Sequence, residues 1–393
     1  MKPSHDTLKQ LVGQPVGVID TPAAVVDLDA MQRNLTRMAE FARKHDIRWR
    51  AHAKMHKCAA IARLQVQAGA SGICVQKTAE AEAMAAGGVT DIYITNEVVD
   101  PGKLARVAAL AHRLAAQGGK LSIAVDHPEG VRRLAHAMEK ARAQAEAPAL
   151  IDVFVEIDVG HHRCGVAPGA PALALALQVR RHPALRLAGL QAYHGRAQHL
   201  RTARERHDAV AEVVRDVQAT RSLMAAEGVQ VKCVTGAGTG TMVCEAASGE
   251  FNELQAGSFL FMDADYAANE RDPAQPAFEH ALFIKTQVMS VSAWHAVCDA
   301  GHKSHAIDSG LPRVHALPGT PAMVFANGGD EHGVLRPLAA GGALPALGDT
   351  VWLVPGHCDP TVNLHDHLIG VSGGLADGRV ERILRVDARG ALG

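Results

Sequence analysis

Short apolar runs alternate with longer amphipathic stretches through most of the chain. The apolar runs include DIYIT, LSIAV and IDVFVEID. Between them, stretches such as LDAMQRNLTRMAEFARKH place apolar residues three and four positions apart, which is typical of helices that bury one face. The alternation extends from about residue 24 to about residue 261 and predicts repeated βα units around a parallel sheet.

The candidate strands number nine, one more than an eight-stranded barrel requires. They are AAVVDL, IRWRAH, GICV, DIYIT, LSIAV, IDVFVEID, RLAGLQAY, VKCVT and GSFLFM. We assign the first of them, within residues 1–30, to a segment that joins a second domain, and we assign the (β/α)8 barrel to residues 31–270. From about Ala281 the chain is rich in short β-type runs and turns, so residues 271–393 are expected to form a β-rich C-terminal domain.

The composition limits the kinds of molecule that the protein is expected to bind. The chain has 393 residues, 48% of them hydrophobic, which is enough for a large core. Forty basic and forty-one acidic residues nearly cancel, so neither a nucleic acid nor an anionic membrane surface is favoured, and a small molecule is the expected partner. Seven scattered cysteines, and the lack of an N-terminal signal or of any run near the ~20 apolar residues of a membrane span, predict a cytoplasmic protein.

A lysine follows the second candidate strand. In IRWRAHAKMHK the strand ends near His52, which places Lys54 at the C-terminal mouth of the barrel, where active sites of this fold gather. A desolvated lysine in this position can form an imine with an aldehyde cofactor. From this segment alone, a solvated loop lysine explains the sequence equally well.

A glycine-rich loop follows the eighth candidate strand. VTGAGTGT, residues 234–241, combines three glycines with three threonines, which suits close approach of backbone amides and hydroxyls to a phosphate. Residues 256–258, AGS, are expected to begin the next strand. This arrangement matches the common phosphate site of barrel enzymes, although an ordinary tight turn is the alternative.

A histidine and an aspartate lie two positions apart near the C-terminus. In PGHCDPTVNLHDH an extended backbone would direct His357 and Asp359 to the same face, where they could share an ion. An imidazole and a carboxylate suit Mn²⁺, Mg²⁺ or Co²⁺, whereas Zn²⁺ would prefer His with Cys. A structural hydrogen bond between the two side chains is the alternative.

Together these segments resemble one family, the fold-type III pyridoxal-phosphate enzymes of the D-threonine aldolase, D-3-hydroxyaspartate aldolase and D-serine dehydratase group. The resemblance spans nearly the whole chain and rests on AHAKMHK, YHGRAQH, TGAGTGT, MDADY, DEHG and HCDPTVNLHD. Ala51 departs from the pattern, because the family usually has Pro or Ser there. The resemblance implies an alanine racemase-like α/β barrel with a C-terminal β-rich domain, pyridoxal 5'-phosphate as cofactor and a homodimer.

The resemblance also implies roles for single residues. Lys54, and not Lys57, would carry the cofactor, Arg163 would contact its phenolic oxygen, and His199 would be the general base. The other implied cofactor contacts are Gln76, Tyr193, Thr235, Gly238, Thr239, Gly257, Ser258 and Tyr266. His357 and Asp359 would hold a divalent metal, Mn²⁺ ahead of Mg²⁺, Co²⁺ or Zn²⁺.

The implied activity is retro-aldol cleavage of D-β-hydroxy-α-amino acids of the D-threonine type to glycine and an aldehyde. Related dehydratases have cysteine where this chain has Asp359, which favours the aldolase. Cleavage of 3-hydroxyaspartate to glycine and glyoxylate is a close variant, and dehydration of D-serine or D-hydroxyaspartate is the next alternative.

Two further alternatives are disfavoured, and a third stays open. An alanine racemase needs a tyrosine base where this chain reads DAGHK, residues 299–303. A non-catalytic pyridoxal-phosphate carrier lacks a second domain. A metal-dependent barrel enzyme without pyridoxal phosphate stays open.

Overall fold

The strands of this protein form two separate sheets. The structure is a computed structural model that describes residues 5–142 and 149–393. One sheet is parallel, flanked by helices and closed into a barrel, and the other is mainly antiparallel. The predicted fold class, an α/β barrel with a β-rich second domain, is therefore confirmed.

The barrel contains nine strand segments in eight positions. The first strand of the chain, β1 (Ala23–Asp27), lies in the other sheet. The barrel segments are β2 (Arg48–Trp49), β3 (Ala51–His52), β4 (Ile73–Val75), β5 (Asp91–Ile94), β6 (Lys120–Val125), β7 (Ile151–Glu156), β8 (Leu185–Ala192), β9 (Cys233–Gly236) and β10 (Glu253–Leu254). β2 and β3 are parts of one strand that is interrupted at Arg50. β10 pairs with β2, and β3 pairs with β4, which closes the barrel.

Helices cover the outside of the barrel. The long helix after β1 begins where the side chain of Asp27 accepts hydrogen bonds from the backbone amides of Asp29 and Ala30. It ends with Arg43 and Lys44, whose charges complement the helix dipole. The helices of the described chain are α1 (His5–Lys9), α2 (Leu28–Lys44), α3 (Ala59–Gln67), α4 (Thr78–Ala86), α5 (Pro101–Ala116), α6 (Pro128–Arg142), α7 (Ala170–Arg180), α8 (Ala203–Ala226), α9 (Met242–Ala247) and α10 (Cys358–Val362).

The prediction for the last barrel strand was wrong. The run GSFLFM, residues 257–262, does not form a strand, because Ser258–Leu260 is a 3-10 helical turn and β10 lies just before it. Phe259 and Leu260 are buried in that turn. A short apolar run cannot by itself distinguish a buried strand from a buried turn, and burial is the only property that this run reports.

The second sheet brings both ends of the chain together. Its later strands are β11 (Leu282–Val291), β12 (Ala296–Cys298), β13 (Arg313–His315), β14 (Met323–Asn327), β15 (Gly333–Pro337), β16 (Thr350–Val354), β17 (His367–Ser372) and β18 (Arg379–Arg385). β1 lies between β11 and β17, antiparallel to the first and parallel to the second. The chain therefore starts in this sheet, forms the barrel and returns.

Charged residues close the bottom of the barrel. Nη1 of Arg50 lies 2.5 Å from Oδ1 of Asp91, and its Nε lies 3.2 Å from Oε1 of Glu253. Both carboxylates belong to the first residues of their strands, and Arg50 and Glu253 are buried. Gly72 makes room for this arginine, since a Cβ there would lie 2.2 Å from Nη1.

The described part of the chain also contains no helix with the length and apolar composition needed to cross a membrane.

We expect Arg50→Met to destabilise the protein by about 3–5 kcal/mol, because the buried carboxylate of Glu253 would lose its counter-charge. The measurement is the free energy of unfolding in urea. The control is Arg132→Met on α6, which removes an exposed pair with Glu129 and should change stability by less than about 1 kcal/mol. Equal effects of the two substitutions would contradict this account of the barrel floor.

Candidate active site

A cavity of about 400 Å³ opens at the C-terminal ends of the barrel strands. Lys54 projects into it from a 3-10 helical turn, Ala53–Met55, that directly follows β3. Most of the predicted cofactor residues line the same cavity: Lys54, Gln76, Arg163, Tyr193, Gly238, Thr239, Gly257, Ser258 and Tyr266. The structure therefore brings together residues that are up to 212 positions apart in the sequence.

Lys54 faces a carboxylate from the second domain. Its Nζ lies 2.8 Å from Oδ1 of Asp359. The negative charge of Asp359 raises the pKa of Lys54 above its ordinary value, even though burial acts in the opposite direction. Burial also opposes ionisation of Asp359, but the positive charges of Lys54 and His357 outweigh it and lower the pKa of that carboxyl. The two groups form an ion pair in this structure.

His52 supports the lysine from below. Its Nδ1 accepts a hydrogen bond from the backbone amide of Lys54 at 3.4 Å, and its Nε2 lies 3.1 Å from Oγ1 of Thr95 and 3.0 Å from Nε2 of Gln76. Burial, followed by the charge of Lys54, lowers the pKa of His52 well below its ordinary value. This imidazole is therefore neutral and orients both Lys54 and Gln76.

Two loops at the cavity wall suit a phosphate. The loop after β9 carries Gly238 and Thr239, and the turn after β10 carries Gly257 and Ser258. A Cβ on Gly238 would lie 2.4 Å from the side chain of Gln198, and one on Gly257 would lie 2.8 Å from the carbonyl oxygen of His52. These close approaches favour glycine at both positions, and both loops line the cavity.

Thr235 differs from the other predicted cofactor residues. It is fully buried in β9, and its hydroxyl accepts a hydrogen bond from Nε2 of Gln255 at 3.0 Å. It does not line the cavity. The predicted role as a cofactor contact therefore has no direct geometric support, because the strand directs this side chain beneath the cavity floor.

His357 and Asp359 lie beside Lys54, but not on an extended backbone as predicted. His357 caps the short helix α10, and Asp359 is in its first turn. The distance from Nε2 of His357 to Oδ2 of Asp359 is 3.6 Å. Cys358, between them, points away and is buried against the carbonyl oxygen of Met262. The expected geometry was wrong for Asp359, because a helix starts at Cys358. The two side chains still converge, because His357 itself precedes the helix and keeps an extended backbone (φ −143°, ψ 127°).

The surroundings of this pair fit a divalent metal. Both carboxylate oxygens of Asp359 are buried, and neither accepts a hydrogen bond of good geometry from the described chain. Nδ1 of His357 lies 2.7 Å from Oδ2 of Asp308, which leaves Nε2 directed at Asp359. An imidazole oriented by a carboxylate on its far nitrogen is a common arrangement of metal-binding histidines.

Arg163 and His199 occupy the rim of the site. The guanidinium carbon of Arg163 lies 5.9 Å from the centre of the Tyr193 ring, within the range of a cation–π contact. His199 lies outside the cavity lining, in a 3-10 helical turn after β8, and its ring is 5.8 Å from that of Tyr266. The rim therefore carries the cation of Arg163 and the imidazole of His199, and each lies beside an aromatic residue of the cavity wall.

Comparisons with known proteins agree with this geometry. A family model for the alanine racemase N-terminal domain matches residues 26–265, and one for a serine dehydratase domain matches residues 281–371. A D-threonine aldolase of Arthrobacter sp. is 45% identical, with 96% of this chain and 95% of that protein covered.

The chain belongs to the fold-type III pyridoxal-phosphate family of D-threonine aldolases. A 3-hydroxy-D-aspartate aldolase of Paracoccus denitrificans (strain Pd 1222) is 39% identical, with 97% of this chain and 95% of that protein covered. The crystal structure of D-threonine aldolase from Filomicrobium marinum superposes with a TM-score of 0.90 at 44% identity, covering 96% of this chain and 98% of that chain. Membership in the family implies pyridoxal phosphate, and the glycine-lined loops with Lys54 fit that cofactor.

Several cavity residues were missed by the sequence analysis. Gln191 accepts a hydrogen bond from the hydroxyl of Tyr93 at 2.6 Å and donates one to Glu156 at 2.6 Å. Gln255 donates to Gln191 at 3.3 Å. These residues and His52, Thr95 and Asn96 all lie at or just beyond the C-terminal end of a barrel strand. A polar residue within an apolar strand end was the signal that could have identified them.

A buried glutamate lies behind the phosphate loop. Oε1 of Glu245, in α9, accepts a hydrogen bond from the hydroxyl of Thr241 at 2.7 Å, and that hydroxyl accepts one from Nε2 of Gln198 at 2.8 Å. Gln198 in turn accepts a hydrogen bond from the backbone amide of Gly240. Oε2 of Glu245 is buried and receives no hydrogen bond from the residues that the structure describes. Burial raises the pKa of Glu245 to about 7.

This pKa predicts a pH dependence of stability. In the unfolded chain the carboxyl ionises near 4.5, whereas in the folded protein it keeps its proton up to about pH 7. The contribution of this carboxyl to folding stability is therefore fully present below about pH 4.5, and it is lost as the pH rises through 7. We expect Glu245→Gln, measured by urea unfolding, to gain stability relative to the wild type between pH 5 and pH 8, by up to about 3 kcal/mol. The exposed Glu227→Gln is the control, and a relative stability of Glu245→Gln that is the same at both pH values would contradict the prediction.

Proposed function

We propose that this protein is a pyridoxal-phosphate- and metal-dependent aldolase that cleaves D-β-hydroxy-α-amino acids of the D-threonine type to glycine and an aldehyde. The observation that carries the proposal is the contact between Lys54 and Asp359. It places a cofactor-binding amine 2.8 Å from a buried carboxylate that can also ligate a metal. The likeness to D-threonine aldolases supports the same activity.

Bound pyridoxal phosphate supplies an electron sink for the bond that is broken at Cα of the substrate. Lys54 would hold the cofactor, and Gly238, Thr239, Gly257 and Ser258 would hold its phosphate, since all of them line the same cavity. Arg163 lies on the rim with its charge over Tyr193, where a guanidinium can stabilise an anionic oxygen. Tyr266 completes the wall of the cavity next to the phosphate loops.

A divalent cation at His357 and Asp359 lowers the pKa of a hydroxyl that binds to it. Nε2 of His357 and the oxygens of Asp359 would hold this cation, and Asp308 orients the imidazole from its other nitrogen. One nitrogen and one carboxylate suit Mn²⁺ first, with Mg²⁺, Co²⁺ or Zn²⁺ as alternatives. The side chain of Asp359 is 14% exposed, so it has few other means to balance its charge than a bound cation or Lys54.

His199 is proposed as the general base that accepts the proton of the substrate's β-hydroxyl. Its side chain is 47% exposed at the rim and lies next to Tyr266. A histidine in this position can take a proton and return it to solvent. This assignment rests on the family motif YHGRAQH and on the position of the ring.

Cleavage of 3-hydroxy-D-aspartate is the second candidate, because a relative with that name is 39% identical over nearly the whole chain. Dehydration is disfavoured by the carboxylate at position 359. The homodimer and the cytoplasmic location stay predictions.

Two lysines of one segment allow a matched test of the cofactor site. Lys57 is buried outside the cavity, where its Nζ lies 3.0 Å from Oδ1 of Asn363 and 3.2 Å from Oε1 of Glu80. We expect Lys54→Ala to abolish the visible absorption band of lysine-bound pyridoxal phosphate, and Lys57→Met to retain it. A band that survives in Lys54→Ala would contradict the assignment.

Product analysis tests the activity. We expect the protein, loaded with pyridoxal phosphate and Mn²⁺, to convert D-threonine to glycine and acetaldehyde, and we expect a chelator to remove this activity and Mn²⁺ to restore it. Parallel incubations contain D-3-hydroxyaspartate and D-serine. Accumulation of a 2-oxo acid and ammonia without glycine would replace the proposal with dehydration.

A further inference from the structure

We propose that Asp265 is a positioning residue that fixes the orientation of His199, and that Arg201 holds Asp265 in place for this task. The inference rests on the proposed function, because it concerns the imidazole that is assigned there as the base. Asp265 does not line the cavity and has no predicted role.

The imidazole of His199 has one fixed nitrogen. Its Nδ1 lies 2.6 Å from Oδ2 of Asp265. Without this contact, an exposed imidazole would rotate between several orientations. Holding the ring in a single orientation for the reaction would then cost conformational entropy. A carboxylate on Nδ1 keeps a proton on that nitrogen and leaves Nε2 without one in the neutral ring, so that Nε2 is the atom able to accept a proton.

The carboxylate is itself held from two sides. Nη2 of Arg201 lies 2.5 Å from Oδ1 of Asp265, and Nη1 donates to the backbone oxygen of Asp265 at 2.8 Å. Nη1 also donates to Oδ1 of Asn269 at 2.7 Å, and Asn269 donates to the backbone oxygen of Gln198 at 2.8 Å. The side chain of Asp265 is only 6% exposed. This network has little freedom to rearrange, unlike a typical surface ion pair.

The position of Asp265 joins three parts of the site. Its backbone amide donates to the oxygen of Gly356, the residue before His357. Asp263, two residues earlier, accepts hydrogen bonds from the backbone amides of Tyr266 and Cys358. The segment of residues 263–266 therefore sets the distance between the proposed base, the phosphate wall and the proposed metal ligands.

A second histidine and aspartate pair provides a matched control. Nε2 of His207 lies 2.6 Å from Oδ2 of Asp272, the same distance as in the proposed pair. His207 belongs to α8, and neither residue lines the cavity. Asp272→Asn removes an equivalent contact without touching the site.

The test combines Asp265→Asn and His199→Asn in a double-mutant cycle on the holoenzyme. We expect Asp265→Asn to lower kcat by about 10- to 100-fold, the range typical when the partner that orients a metal-binding imidazole is lost. KM and the cofactor absorption band should change little, and Asp272→Asn should behave as the wild type. Because Asp265 acts through His199, the double variant should be no slower than His199→Asn alone.

Two outcomes overturn the inference: wild-type kcat in Asp265→Asn, or losses that multiply in the double variant. If the Asp265→Asn variant fails to bind the cofactor, Arg201→Met is measured instead. This substitution keeps the carboxylate of Asp265 but removes the guanidinium that holds it in place. The inference is supported if Arg201→Met lowers kcat but causes no further loss when it is combined with His199→Asn. It is refuted if Arg201→Met leaves kcat unchanged, or if its loss multiplies with that of His199→Asn. Wild-type activity of His199→Asn would instead show that His199 is not the base. That result would contradict the proposed function and can be told apart from a failure of the role assigned to Asp265.

Discussion

The contact between Lys54 and Asp359 is the interaction on which the site depends. The amine comes from the barrel and the carboxylate from the second domain, and they meet at 2.8 Å. A buried carboxylate needs a positive neighbour, and a lysine that forms an imine needs to lose its charge. Asp359 therefore requires a cation at this point, either the ammonium group of Lys54 or a metal ion, and the packing of the two domains places the ammonium group there.

The fold supplies the rigidity that this contact needs. α10, which carries Asp359, packs directly on the turn that carries Lys54. Asp263 ties the start of α10 to the segment after the last barrel strand through the amide of Cys358. β1 lies at the centre of the second sheet and continues into α2 of the barrel, so the two domains share one chain segment as well as one site. Movement of either domain would separate the amine from the carboxylate.

The barrel and the position of the cofactor lysine could be predicted from the sequence, because each leaves a local pattern of residues. The alternation of apolar runs and amphipathic helices predicted the barrel, and the position of Lys54 after a strand predicted its place at the mouth. The wrong strand at residues 257–262 shows the limit, because an apolar run reports burial but not backbone conformation. The helical geometry at His357 and the buried position of Thr235 depend on tertiary packing. The partners Asp308 and Asp265 are 49 and 66 residues from their histidines, so no local pattern could reveal them.

A crystal structure of the holoenzyme with Mn²⁺, with anomalous diffraction recorded at the manganese edge, would show directly what Lys54 and Asp359 bind. We expect continuous electron density from Nζ of Lys54 to the cofactor, and one anomalous peak within ligand distance of Nε2 of His357 and a carboxylate oxygen of Asp359. A cofactor attached to another lysine, or a manganese peak away from both side chains, would contradict it.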